Sequence, residues 1–310
     1  MMHIDQANSH ITIQDLGRTG VAHLGVPIGG AIDRQALTLA NRLVANPDNC
    51  AALEFSAGEF TIRFEIDTWV ALCGGHFDAS ISNRPLWNGW RGKVNKGESL
   101  YIRGPKQGMY GYLAIMGGID CETVLKGKGT DITNEFGGHH GRYLEAGDRL
   151  NIGVTALGNF SRPIGAVQRA NDGILRALPG PELALFSQFS KKAFWHTSWK
   201  VSNQSNRMGT RLDGQPLSTE TDISLRSHGV MPGVVQVPPN GQPIVLMADA
   251  QTTGGYPRIA CVIAADLWKV AQTRPRQALI FQHISPSQAQ SANYEWQQYH
   301  YRLARAMDGS

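Results

Sequence analysis

Short apolar runs punctuated by glycine, asparagine and aspartate dominate this chain, and their spacing predicts strands far more often than helices. In the first half such runs fall at 11–14, 60–66, 69–73, 99–103 and 112–116. One stretch breaks the pattern. From 34 to 46, Ala36, Leu37, Ala40, Leu43 and Val44 recur at helical spacing, with Asp33 in the N-cap position and Pro47 as the stop. Residues 141–150 read as a tight turn feeding a closing strand. The small, weakly patterned residues of 151–171 predict a linker, which places the expected domains at 1–160 and 172–310. Beyond it, strands are predicted at 175–178, 234–237, 244–248, 259–263 and 278–282. A helix at 265–272 ends before Pro275, and the Gln-rich tail at 287–307 reads as a surface helix. Two halves, each rich in short strands with about one helix, predict a mostly β protein of two related β-barrels rather than one parallel sheet.

Composition narrows the class. Of 310 residues, 42% are hydrophobic and only 17% charged, which fits a packed core and excludes disorder. The formal charge of +4 is spread along the chain with no basic run, an argument against nucleic acid as a partner. Cys50, Cys73, Cys121 and Cys261 form no CxxC pair, and Cys73 and Cys261, inside apolar runs, are expected as buried thiols. The opening residues lack the pattern of a signal peptide and no apolar run is long enough to span a bilayer, so the expectation is a cytoplasmic protein without a membrane partner.

Candidate chemistry gathers at strand ends. After the apolar run 243–248, the segment 249–257 presents Asp249, Gln251, Thr252 and Thr253 and then turns through Gly254, Gly255, Tyr256 and Pro257. A sheet delivers polar groups to its rim in this way. Asp249 is a candidate catalytic carboxylate, with Gln251, Thr252, Thr253 and Tyr256 as substrate contacts. In the first half, Asp15 and Arg18 can pair across a turn, with Arg18 otherwise a substrate contact, and Asp33 serves equally as a helix cap or a site residue. Glu54, with no local partner, is the freer carboxylate and a second catalytic candidate. The glycine-rich turns 117–120 and 137–142 leave backbone N–H groups open to an anion. There Arg142 could clamp a carboxylate. His139 and His140, as sequence neighbours, are expected to point apart, which speaks against a shared metal and leaves His139 as a candidate acid or base. In the second half Arg207, Arg211, Ser227 and Gln236 are further candidate contacts, Arg207 and Arg211 alternatively forming ion pairs. The 126–130 segment is not a phosphate loop, because Glu122 stands where its leading glycine belongs; nor is there a dinucleotide fingerprint or a nucleophile elbow.

Taken in order, these pieces resemble one family. They are Gln14-Asp-Leu-Gly-Arg18, Gly30-Ala-Ile-Asp33, Ala40-Asn-Arg-Leu-Val44, Tyr112–Asp120, Gly137–Arg142, Gly147-Asp148, Gly180-Pro181, Arg207–Leu212, Gln236-Val-Pro238 and Asp249–Pro257. The family is the KipA-type or allophanate hydrolase subunit 2 family of biotin-dependent carboxyltransferases, and the resemblance runs from about 11 to 282. It implies two cyclophilin-like β-barrel domains. It also implies, for the 5-oxoprolinase branch, ATP-dependent opening of the 5-oxoproline lactam together with a KipI-type and a LamB/YcsF-type partner. The alternatives it carries are carboxyl transfer from biotin on a partner protein to a urea-like acceptor, and non-enzymatic capture of a KipI-like kinase inhibitor. The Lys126–Thr130 segment departs from the Gly-Ser-rich form expected of relatives, and His139-His140 fall at a variable place.

Overall fold

The computed structural model describes residues 1–154, 160–221 and 224–307; the middle of the expected linker, 155–159, lies outside them. The chain divides into two compact units. The first comprises Met1–Thr19, Gly29–Arg169 and the chain from His300 onward, and the second Gly20–Ile28 and Ala170–Tyr299.

The first unit holds β1 (Met2–Gln14), α1 (Arg34–Leu43), β2 (Ala52–Phe64), β3 (Thr68–Ile81), β4 (Arg84–Pro85), β5 (Trp90–Val94), β6 (Ser99–Ile115), β7 (Ile119–Asp120) and β8 (Arg149–Ile152). They form one sheet in the order β4-β3-β6-β2-β1-β8-β7, with β5 paired to β3. Four of these strands are much longer than the apolar runs that announce them. The runs at 99–103 and 112–116 are one strand, because the polar stretch between them stays paired, Gly104 to Gly58 and Gln107 to His76. Bulges absorb the mismatch.

Both faces of the long strands are covered, which explains why the apolar residues cluster instead of alternating. Leu53, Val70, Leu72, Leu113 and Ile115 join the core on one face. Ala52, Trp69, Ala71, Cys73, Tyr112 and Ala114 lie on the other, packed with Leu37, Ala40 and Leu43 of α1. Glu54 has the parity of Ala52, so β2 aims its carboxylate at the helix side.

The second unit contains β9 (Ile174–Pro179), α2 (Gln188–His196), β10 (Ser198–Val201), β11 (Gly209–Asp213), β12 (His228–Gly229), β13 (Val234–Gln236), β14 (Ile244–Leu246), β15 (Thr253–Gly254), β16 (Arg258–Val262), α3 (Leu267–Gln272), β17 (Ala278–His283) and, as far as Tyr299, α4 (Pro286–Met307). Seven strands close into a barrel in the order β10-β11-β14-β13-β16-β9-β17, while β12 and β15 pair as a separate ribbon. The cross-strand pairs Leu175–Phe281, Leu279–Trp199, Val201–Leu212, Val245–Val235 and Val235–Ala260 set buried side chains into the barrel interior. Helix α2 had no clear sequence signal. Ser187 caps it, its Oγ accepting from the Ser190 amide at 3.1 Å, and Phe194 stacks on Phe281 with centroids 4.4 Å apart. Only long-range packing justifies so short a helix. Cys73 is buried as expected, whereas Cys261 is only half-buried.

Candidate active site

Two polar centres lie at strand ends, one in each unit. In the first, α1 begins over a carboxylate. Asp33 caps the helix, its Oδ1 accepting from the Ala36 amide at 2.9 Å. The Asp33 amide donates to the Tyr112 hydroxyl at 2.8 Å, and that hydroxyl donates to Glu54 Oε2 at 2.7 Å. The Ile32 amide donates to the same oxygen at 3.0 Å. Burial, reinforced by the negative charges of Glu54 and Asp33, pushes the Tyr112 hydroxyl well above its usual range, so it remains a donor. The expectation that Glu54 is the freer carboxylate is therefore wrong. It is 3% exposed and held by groups 22 and 58 positions away, beyond the reach of local sequence reasoning.

Arg18 is likewise committed to structure. Its Nε donates to the Val124 carbonyl at 3.1 Å and its Nη2 to that of Gly129 at 2.5 Å, and its guanidinium lies 4.6 Å from the centre of the Phe136 ring. Asp15 accepts from the amides of Gly17 and Lys128, at 2.8 and 2.7 Å. Together they bind the 124–130 segment to the end of β1.

Asp148 organises the histidine turn. Arg142 grips it through two bonds of 2.8 Å, so the guanidinium expected to clamp a substrate is already engaged. His139 Nε2 stands 3.3 Å from the same carboxylate. The fork from Arg142 lowers the Asp148 carboxyl to about 2. Burial lowers His139 despite the opposing pull of Asp148, which leaves a neutral ring whose Nε2–H faces the carboxylate and whose Nδ1 is the basic nitrogen. The two histidines do not point apart. Their rings meet edge to face with centroids 4.4 Å apart, because a φ of +56° at His140 turns the chain back. The described residues contain no cluster of three or more His, Cys, Asp or Glu able to hold a metal.

In the second unit Asp249 lies three residues beyond the end of β14. Arg207 grips it in a fork, Nε to Oδ2 at 2.7 Å and Nη2 to Oδ1 at 3.0 Å, so two residues singled out separately form one pair. Gln251 Nε2 donates to Gln236 Oε1 at 3.4 Å. Thr253 and Gly254 pair with Gly229 and His228, and the Thr252 carbonyl accepts from the Val230 amide at 3.0 Å. Tyr256 is 46% exposed at the edge of this segment. Arg211 and Ser227 are exposed. Glu182 was not anticipated. It receives the amide and two guanidinium N–H groups of Arg258, which hold its carboxyl below the usual range.

A helix-covered β-sheet unit and a seven-stranded barrel unit, each with carboxylates at its strand ends, define a two-unit, mostly β protein. The same fold occurs in the crystal structure of K. lactis urea amidolyase, with a TM-score of 0.87 and 25% identity over 96% of this chain and 20% of that one. The chain belongs to the family described as carboxyltransferase domain, subdomain A and B, whose model matches residues 24–283. It is 46% identical over 304 residues to the 5-oxoprolinase C subunit of Escherichia coli (strain K12), covering 98% of each chain. It is 38% identical over 309 residues to the 5-oxoprolinase C subunit of Haemophilus influenzae, covering 99% of each. No described helix is long and apolar enough to cross a membrane.

Proposed function

We propose that this chain is the C-type subunit of a cytoplasmic, ATP-dependent 5-oxoprolinase and works with KipI-type and LamB/YcsF-type partner subunits. The observation that carries this reading is the near full-length 46% identity to a protein of that name. In the reaction the lactam C–N bond breaks, water supplies hydroxyl to the carbonyl carbon and a proton to the nitrogen, and glutamate leaves. Amide resonance makes the lactam a poor electrophile, and ATP hydrolysis in the complex supplies the driving force. The roles follow from the contacts. His139, oriented by Asp148, is the acid–base group of the first unit. Asp249, held by Arg207, is the carboxylate of the second, with Gln236, Gln251, Thr252, Thr253 and Tyr256 as substrate contacts. Glu54, Asp33, Arg18 and Arg142 hold the supporting loops. The family description favours a second reading, transfer of a carboxyl group from biotin on a partner to a urea-like acceptor.

Reconstitution with both partner subunits tests the proposal. Glutamate and inorganic phosphate should form together and only when 5-oxoproline is present. A complex that assembles but releases neither overturns it, and biotin-dependent carboxylation of urea in its place would establish the second reading.

A further inference from the structure

Three side-chain polar atoms of the second unit are sealed from solvent without a hydrogen-bond partner, Nε1 of Trp268, Nε2 of His228 and Nε2 of Gln236, and the last two belong together. Their chemistry is opposite. Gln236 is 2% exposed and its Oε1 already accepts from Gln251, so its amide nitrogen is a donor. The His228 Nδ1 lies 3.1 Å from the Arg226 carbonyl, which can only accept. The proton of the neutral ring therefore sits on Nδ1, and Nε2 carries the acceptor lone pair.

Register brings them to one face. His228 is directly opposite Gly254 across the β12–β15 ribbon, and opposed residues of a ladder project to the same side. A Cβ on Gly254 would stand 2.7 Å from Gln236 Nε2. The ribbon face that carries the imidazole is thus the face lying on the Gln236 amide, and a Cβ at 254 would displace that amide.

We propose that the β12–β15 ribbon covers a subsite for the cis N–H/C=O edge of a five-membered cyclic amide. The ring carbonyl accepts from Gln236 Nε2 and the ring N–H donates to His228 Nε2. A cis amide presents one acceptor and one donor side by side, the complement of this pair. The inference rests on the proposed function and names the contact by which that site reads its substrate; the lactam of 5-oxoproline and the ureido ring of biotin share this edge. Entry requires the ribbon to lift. Its two residue pairs and the bond from the Val230 amide to the Thr252 carbonyl, flanked by Gly229, Gly254 and Gly255, make that a small displacement.

The full chain labelled with 15N-histidine is titrated with 5-oxoproline, N-methyl-5-oxoproline and biotin, the His228 signal being assigned by its loss in His228→Gln. The Nε2 resonance should move upfield with 5-oxoproline and stay in place with the N-methyl analogue, which has no N–H to donate. In the reconstituted complex, His228→Ala and Gln236→Leu should each raise KM for 5-oxoproline about tenfold, as expected for one lost hydrogen bond, whereas His228→Gln keeps an acceptor and restores most of it. No movement with any probe, or equal movement with the N-methyl analogue, overturns the subsite. Turnover of 5-oxoproline without that movement overturns the subsite and leaves the function standing. Movement with biotin alone, in a complex that does not open 5-oxoproline, supports the cyclic-amide edge and overturns the function.

Discussion

The fork between Arg207 and Asp249 joins the segments that carry them, and its strength can be worked from its burial. The two side chains are 16% and 17% exposed, so the pair is neither a surface ion pair nor a fully buried one. Exposed pairs contribute about 0.2–1 kcal/mol, and removing one partner of a buried pair costs about 3–5 kcal/mol. With two bonds at 2.7 and 3.0 Å, Arg207→Met should destabilise the fold by about 2–3 kcal/mol. The backbone bond from the Asp249 amide to the Arg207 carbonyl, 3.0 Å, survives the change, so the two segments stay adjacent and the loss belongs to the side chains. The assay is a double-mutant cycle of Arg207→Met, Asp249→Asn and the double variant in urea, with hydrogen exchange at the Asp249 amide as a local readout. Coupling of about 2 kcal/mol is expected. A coupling below about 0.5 kcal/mol, with unchanged exchange, would mean that the fork does not hold those segments.

Other outcomes follow from single contacts. Asp148 has its folded pKa lowered from 3.8 to about 2 by the Arg142 fork, so its stabilisation is present above about pH 4 and drains away as pH falls through 2. About 2 kcal/mol is at stake, and Arg142→Met should abolish that part of the acid dependence of the urea midpoint. His300, 5% exposed, is lowered from 6.5 to about 4 chiefly by burial and then by Arg42. Its folded state prefers the neutral ring, so stability present above pH 6.5 is lost as pH falls through 4, by up to about 3 kcal/mol; His300→Leu should flatten that interval. Tyr112→Phe removes the hydroxyl that joins the Asp33 amide to Glu54 and should cost about 1–3 kcal/mol in urea unfolding, with unchanged stability as the contrary result. Gly141→Ala places a Cβ 2.0 Å from the Glu135 carbonyl carbon at a φ of +66°, and should lose soluble, folded protein in expression trials; normal yield and melting would contradict the close approach.

The apolar runs made the strand-rich class legible, because a strand covered on both faces writes itself as consecutive hydrophobic residues. Asp33 as a helix cap was legible for a similar reason, since capping is settled within three residues of sequence. The polar rim of 249–256 was visible too, as hydroxyls and amides following an apolar strand. Hidden were the facts that depend on pairing between distant strands. Glu54 looks solitary in sequence, yet β2–β6 register sets it opposite Tyr112. The strength of Arg142 as a clamp could be read, but not that Asp148 had claimed it.

By itself, then, the sequence determined element type, caps and the residue types offered to a site, all of which depend on neighbours a few positions away. Tertiary structure alone decided which carboxylates are committed to Tyr112, Arg142 and Arg207, and which atoms, His228 Nε2 and Gln236 Nε2 among them, are buried without a hydrogen-bond partner. The physical reason is that a hydrogen bond extends about 3 Å in space and has no fixed reach along the chain.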